Sequence, residues 1–390
     1  MVVSAKVGLA EVLRRHGPAF LAAHPLSVAK AKVSPAILAC RTAALGGHVE
    51  TCDACGTTRR VYHSCKNRHC PRCQTRAKEA WLAARQREVL PVPYFHLVFT
   101  LPHDLNGLIG QCPRSLYEML FGAVSATLTE FAANPRWLGG TAAFSLVLHT
   151  WQQDLGRHVH IHALVPGGAL GTDGKWVAAK CGFLFPVKAL STVFRGKFVA
   201  ALKAARQSGK LQEAGLAEQA WRDLLTRVHR HDWVVYAKHS LGGPEQVLDY
   251  LGRYTHRVAI SNERILGMDA DTVRIRVRDS ANANRRRTLS VPAQTFIERF
   301  LLHVLPKGFK RIRHYGLLGP AGKATKLAQA RVALSAPVPD PLVVESVQAF
   351  LHRIDRHELL RCTHCGKGQF VPTASIAPAP VRVLHLRGPP

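Results

Sequence analysis

The chain has 390 residues, 47% of them apolar, enough for a sizeable core and against disorder throughout. Lys and Arg number 53 against 25 Asp and Glu, a formal charge of +28, so the expected partner is a polyanion rather than a bilayer, whose span no apolar run reaches. Ten cysteines are too few for a disulfide-stapled secreted scaffold, and six of them fall in three CxxC pairs, the spacing of intracellular metal binding.

In chain order, residues 1 to about 35 read as helical. The apolar stretch of the opening MVVSAKVGLAEVLRRHG is short and broken by Glu11, so it reads as an amphipathic helix rather than a signal peptide. About 36 to 78 is short, basic and Cys-rich. From about 94 the pattern changes to apolar strands with intervening helices: strands over 94–101, 144–151 and 158–165, helices over 113–133 and 187–206, and a strand-like run over 231–238. A helix is expected to start at Pro244. TVRIRVRD (272–279) alternates, with Arg274, Arg276 and Arg278 on one face and Val273, Ile275 and Val277 on the other. The Pro- and Ala-rich tail from about 371 reads as a poorly ordered extension. The whole is expected to be α+β: a small zinc-binding module followed by an antiparallel sheet flanked by helices.

Cys52-x-x-Cys55 and Cys70-x-x-Cys73 are separated by 14 residues. Each CxxC bends two thiolates onto one metal and the loop lets the pairs meet, so one tetrahedral Zn2+ site on Cys52, Cys55, Cys70 and Cys73 is expected. Cys40, His48, His63, Cys65 and His69 are spare donors, and a second zinc remains open. Arg59, Arg60, Lys66, Arg68, Arg72, Arg76 and Lys78 make the segment a candidate phosphate grip, set against a merely solvated surface. Cys362-x-x-Cys365 near the end is a lone pair, weak evidence for a further metal.

HVHIHALVPGG places His158, His160 and His162 on one strand face, with Val159, Ile161, Ala163 and Val165 toward the core. Imidazoles in a row form a ligand edge for a divalent cation. A further ligand is needed. Gln153, in the turn before this strand, is preferred, with His149 and Asp154 as competitors. In PEQVLDYLGRYTHRVAISN, Tyr250 and Tyr254 are one helical turn apart and share a face. A phenol, with a pKa of about 10, is a weak nucleophile without help. A cation that polarises a phosphate would supply that help. Arg253 and Arg257 stand ready to neutralise phosphate charge. KGFKRIRHYG adds Lys310 and Arg311 with Phe309 and Tyr315 interleaved, a phosphate-tracking and base-stacking pattern or else a charged rim with its aromatics turned inward.

With these segments in order, the chain resembles the IS91 family of rolling-circle transposases. SCKNRHCPRCQ, YFHLVFTLPHDLN, HVHIHALVPGG, FLFPVKALSTVFRGKF, WVVYAKHSLGGPEQVLDYLGRYTHRVAISN and RIRHYGLLG carry the likeness, across about residues 36 to 318. The resemblance implies an N-terminal zinc-binding domain (1–90), an HUH endonuclease domain (91–318) and a C-terminal region (319–390). It implies Mg2+ or Mn2+ on His160 and His162, with Tyr250 and Tyr254 as nucleophiles that leave a 5′-phosphotyrosine. Single-stranded DNA at transposon ends is then the substrate, in a bacterial, cytoplasmic and nucleoid-associated setting. Gln152 departs from the Gly expected there, which leaves the third ligand open. With no phosphate-binding GxxxxGKS motif in the sequence, strand separation falls to host helicases or supercoiling. The competing readings are a plasmid replication initiator or relaxase, and a non-enzymatic zinc-finger regulator that would leave the histidines and tyrosines idle.

Overall fold

The computed structural model describes residues 7–180, 182, 184–241, 246, 247, 252, 258–279, 285–341 and 345–379. Helix α1 (Leu9–Ala23) buries Leu9, Val12, Leu13 and Phe20 at helical spacing. Short helices α2 (Val28–Ala31) and α3 (Val33–Ala39) lead to a hairpin of β1 (Gly47–Cys52) and β2 (Thr58–Tyr62). Helix α4 (Gln74–Gln86) starts directly after Cys73.

The main sheet follows. Its strands are β3 (Tyr94–Thr100), β4 (Gly140–Trp151), β5 (Arg157–Pro166), β6 (Gly168–Gly171), β7 (Trp176–Ala178) and β8 (Val235–Leu241). Between them lie α5 (Asn106–Gln111), α6 (Pro113–Ala133), α7 (Val187–Gln207) and α8 (Glu218–Arg230). The spatial order is β7-β6-β4-β5-β3-β8, with every described pairing antiparallel. A smaller antiparallel sheet of β9 (Ile265–Met268), β10 (Thr272–Asp279) and β11 (Arg285–Pro292) leads into α9 (Ala293–Leu301). Strand β12 (Ile312–Gly316) returns to pair with β4, and α10 (Lys323–Ala333), α11 (Val347–Arg353) and β13 (Phe370–Ile376) complete the described chain.

Alternation divides the main sheet into two faces. Leu97 and Phe99 of β3, Leu146 and Leu148 of β4, and Val159, Ile161, Ala163 and Val165 of β5 join the largest core, under α5, α6, α7 and α8. Each such fully buried Leu, Ile or Phe is worth about 1.5–3 kcal/mol. The opposite face of β5 carries His158, His160, His162 and Leu164. Leu164 belongs to a small core with Leu90, Tyr94, Ala143, Val247, Leu317 and Ala330. Toward the other end of that face, Trp151 enters a third core with α1, Cys40, Cys70, the β9–β11 sheet and α9.

The expected strands and helices of 94–206 are present, as is the amphipathic β10, whose Val273, Ile275 and Val277 are buried while Arg274, Arg276 and Arg278 are exposed. The expectation for the C-terminal tail fails. The tail expected to be poorly ordered from 371 forms β13 through Ile376, paired with β1 from Gly47↔Ile376 to Cys52↔Phe370. β1 offers an open edge, and Val371, Thr373 and Ile376 suit a strand. Pro372 falls at a shift in register opposite Glu50, where a missing N–H is tolerated.

Gly316 seats β12 on β4. Its φ is +62°, and a Cβ there would lie 1.8 Å from the Ala142 carbonyl oxygen. Gly316→Ala is expected to cost at least about 1–3 kcal/mol, read as a lowered thermal unfolding midpoint. An unchanged midpoint would contradict this placement of β12.

Candidate metal centre

Strand β5 lies between β4 and β3, so its imidazoles project from the interior of the sheet rather than an edge. His149 of β4 is directly opposite His160, and Val147 is opposite His162. The register shifts by one residue between His149 and Trp151. That bulge matters: continued without it from Trp151↔Arg157, the pairing would set His149 opposite Val159, on the core-facing side. With it, His149, His160 and His162 bring their ring nitrogens within 4.8 Å of one another. His160 Nε2 and His162 Nε2 are 3.2 Å apart, and the His149 ring centroid is 4.5 Å from that of His162. Bonds of about 2.1 Å to one cation put neighbouring donors about 3.0–3.4 Å apart, so the imidazoles fit a shared ion.

The rings are held from behind. His160 Nδ1 lies 3.0 Å from the His158 carbonyl oxygen, to which it donates when Nε2 is the ligand. His162 Nδ1 lies 2.8 Å from His96 Nε2 on β3, with the two rings stacked at 5.1 Å. Burial, then the Lys238 charge, pushes the His96 imidazole down to about 4, so it is neutral and can accept the His162 Nδ1–H. His149 is only 2% exposed and stacks on Trp151 at 4.8 Å.

His160 and His162 stand together as expected, and His158 stands aside, facing His103 at 3.0 Å. His149 completes a group of three imidazoles with His160 and His162, while the preferred third ligand, Gln153, is placed in the turn. Gln153 sits beyond the end of β4 in the turn, its carbonyl accepting from the Arg264 guanidinium. It lines a 410 Å³ cleft with Asp154, Arg278 and Arg287. Tyr250, Tyr254, Arg253 and Arg257 lie outside the described residues, as does the expected helix start at Pro244.

The cysteines divide differently from the single site expected on Cys52, Cys55, Cys70 and Cys73. Cys40, Cys65, Cys70 and Cys73 form one group of four, and Cys52, Cys55, Cys362 and Cys365 another. The cause is the hairpin. Cys52 ends β1 at its tip, while Arg41 N donates to the His63 carbonyl at its base. Five residue steps at about 3.3 Å hold tip and base about 17 Å apart, too far for one metal. Cys65 follows the hairpin and meets Cys40 there; its Sγ is 3.7 Å from Cys73 Sγ. Burial pushes the Cys70 thiol up, and a cation is what stabilises a thiolate in such a setting. Both four-cysteine groups and the three histidines can hold metal ions.

Among the basic residues, Arg68 donates to the Phe309 carbonyl at 2.9 Å, which brings the cysteine-rich loop against Lys310 and Arg311. Lys310 and Arg72 are exposed. Burial, then the neighbouring Arg68 charge, pushes the Arg311 guanidinium down to about 10. The aromatics of KGFKRIRHYG turn inward: Phe309 is buried against Tyr117, and Tyr315 stacks on Phe144. Arg313 is paired with Glu118 at 2.6 and 2.8 Å and lies over the Phe121 ring. Base stacking by these two aromatics is thereby set aside in favour of the charged rim.

Comparison with known proteins decides the family. A family model described as "Putative transposase" matches residues 143–326, and one described as "Transposase zinc-binding domain" matches residues 12–101. The chain is 45% identical over 373 residues to "Putative transposase y4qJ" of Sinorhizobium fredii, covering 93% of this chain and 94% of that relative. The chain belongs to the IS91/IS801-type transposase family. It is also 28% identical over 362 residues to the "Transposase for insertion sequence element IS801" of Pseudomonas savastanoi, covering 90% and 85% of the two chains. No solved structure matches. The enzyme is of the HUH nuclease type.

His96→Ala removes the group behind His162 without touching the ion-facing nitrogens. It is expected to weaken divalent-metal binding by about 10–100-fold, measured by calorimetric titration. Unchanged affinity would make the His96 contact incidental.

Proposed function

We propose that this transposase nicks and rejoins single-stranded DNA at element ends, with Tyr250 and Tyr254 as the nucleophiles and His149, His160 and His162 as the metal ligands. The observation that carries this reading is the imidazole triad set on two adjacent interior strands, β4 and β5, of an antiparallel sheet. A divalent cation held there would supply positive charge to the scissile phosphate and to the departing 3′ oxygen. The tyrosine oxygen attacks phosphorus and gives up its proton. The bond to the 3′ oxygen breaks, and that oxygen leaves as a hydroxyl after taking up a proton. The product is a 5′-phosphotyrosine with a free 3′-hydroxyl. Because the adduct conserves a phosphodiester, a 3′-hydroxyl can reverse the step and restore the phenol without ATP. Two tyrosines allow a second strand to be cut while the first adduct persists.

Three nitrogen donors favour a first-row transition ion over Mg2+, so Mn2+ is the better fit of the two cations expected. Zn2+ is assigned to Cys40, Cys65, Cys70 and Cys73, as the staple of the N-terminal module. Arg68, Arg72, Lys310 and Arg311 are assigned to DNA phosphates, together with Arg253 and Arg257. The exposed face of β10 and β11 supports a longer track: Arg278 stands directly opposite Arg286, a like-charge pair that a bound phosphate would relieve. Residues 1–90 serve as the zinc-binding part and 91–318 as the nuclease. The remainder, 319–390, contributes α10 to the small core beside β3 and β13 to the first sheet. A nucleoid-bound, cytoplasmic setting with host-assisted strand separation belongs to the same proposal.

The test is incubation of the full chain with Mn2+ and labelled single-stranded element ends. A covalent protein–DNA band is expected, absent in Tyr250→Phe/Tyr254→Phe. His149→Ala and His160→Ala should each lower cleavage by at least about 100-fold with DNA binding retained. Gln153→Ala should leave cleavage largely intact. A covalent band that survives loss of both tyrosines would defeat the nucleophile assignment; undiminished cleavage by His149→Ala would defeat the triad.

A further inference from the structure

The cysteines at the two ends of the chain make matching turns that face each other. Cys52-Asp53-Ala54-Cys55-Gly56 and Cys362-Thr363-His364-Cys365-Gly366 share the pattern CxxCG. In the first, Gly56 N donates to the Cys52 carbonyl at 3.0 Å and Cys52 N donates to the Thr57 carbonyl at 2.8 Å. In the second, Gly366 N donates to the Cys362 carbonyl at 2.9 Å and Cys362 N donates to the Gly368 carbonyl at 2.8 Å. Both glycines take the left-handed conformation, at φ +70° and +67°, that closes such a turn. Each turn therefore aims two sulfurs the same way, as a metal-binding knuckle does.

The sulfurs interleave across the pair. Cys52 Sγ is 3.8 Å from Cys365 Sγ, and Cys55 Sγ is 3.7 Å from Cys362 Sγ, although the partners lie 313 and 307 residues apart in sequence. A disulfide would need about 2.05 Å. A tetrahedron with zinc–sulfur bonds of about 2.3 Å has edges of about 3.8 Å, which is the spacing found. The surroundings bring the turns together independently of any ion. β13 pairs with β1 up to Cys52↔Phe370, Asp53 N donates to the Gln369 carbonyl at 3.1 Å, and the Arg59 guanidinium covers the Phe370 ring at 3.9 Å.

We propose that Cys52, Cys55, Cys362 and Cys365 bind a second Zn2+ that joins the two ends of the chain. The zinc-binding family match ends at residue 101 and the transposase match at 326, so half of these ligands lie outside both. Zinc entry displaces the thiol protons, and four thiolates hold the ion with no oxidant or reductant needed. The consequence concerns assembly. A two-stranded hairpin such as β1–β2 is marginal alone, and its third strand comes from the last part of the chain. The first sheet is therefore completed only after residues 362–376 have been made, and the ion locks that late arrival in place.

This inference does not rest on the nuclease reading, and its test reads metal and thiols rather than cleavage. Zinc per full-length chain is measured by elemental analysis in wild type and in C362S/C365S. The variant is expected to hold one zinc fewer, and Cys52 and Cys55 should become alkylated about tenfold faster or more under native conditions. Cys40, Cys65, Cys70 and Cys73 should stay protected. Equal zinc in the two proteins, or alkylation of Cys52 and Cys55 at the wild-type rate, overturns the proposal. Should the variant fail to fold, wild type alone decides. Its four sulfurs are expected to resist alkylation until a chelator such as 1,10-phenanthroline removes zinc, then to be alkylated together; free alkylation of the four without zinc release overturns it.

Discussion

The arrangement depends on one pairing register, that of β4 against β5. Between His149↔His160 and Trp151↔Arg157, β5 carries one residue more than β4, and this bulge lets the hairpin close while His149 keeps the same face as His160 and His162. A slip of β4 by one residue against β5 would turn His149 into the apolar core while His160 and His162, held by β3 on the other side, kept their face. The register is secured on both sides: Leu148 and Ile161 are opposite each other in the helix-covered core, and β12 pairs along β4 as far as Val147. Apolar burial on one face thus fixes a polar constellation on the other.

The cysteine-rich module is built onto this same place. Trp151 stacks on His149 and packs in one core with Cys40 and Cys70, with α1 and with α9. His303 bridges further, to Thr150 at 3.1 Å and to the Leu155 carbonyl at 2.9 Å. A metal on Cys40, Cys65, Cys70 and Cys73 would therefore stiffen the wall behind the histidines as well as the loop that carries Arg68 and Arg72. The high positive charge of the chain is gathered in part beside this wall: Arg68 and Arg311 crowd each other, and burial, then the Arg311 and Arg68 charges, pushes the His69 imidazole down to about 3. Such crowding is costly in the free protein and is relieved by a polyanion.

Much of this was legible in the sequence because it follows from short-range periodicity. The period-2 run around His160 gave the strand and its two faces, and the 3.6-residue pattern gave the helices over 113–133 and 187–206. What was hidden depends on long-range register. Short-range spacing favours Gln153, in the turn beside the histidines, whereas the partnership of His149 with His160 depends on a strand register that residue types alone do not reveal. Similarly, 14 residues between CxxC pairs suit a zinc loop, but the first half of them forms the hairpin turn and the arm β2. Pairing Cys65 with Cys40, and Cys55 with a cysteine 307 residues away, requires knowing where the hairpin base lies and that β13 exists. The alternating Val371, Thr373 and Ala374-Ser375-Ile376 stretch was a faint strand signal, masked by the prolines around it.

Crystals of the full chain soaked in Mn2+ and measured at the manganese absorption edge test the central claim most directly. The account predicts one anomalous peak bonded to nitrogens of His149, His160 and His162, with Gln153 remote from it. A peak that engages Gln153 in place of His149, or manganese bound elsewhere with the three imidazoles bare, would contradict it.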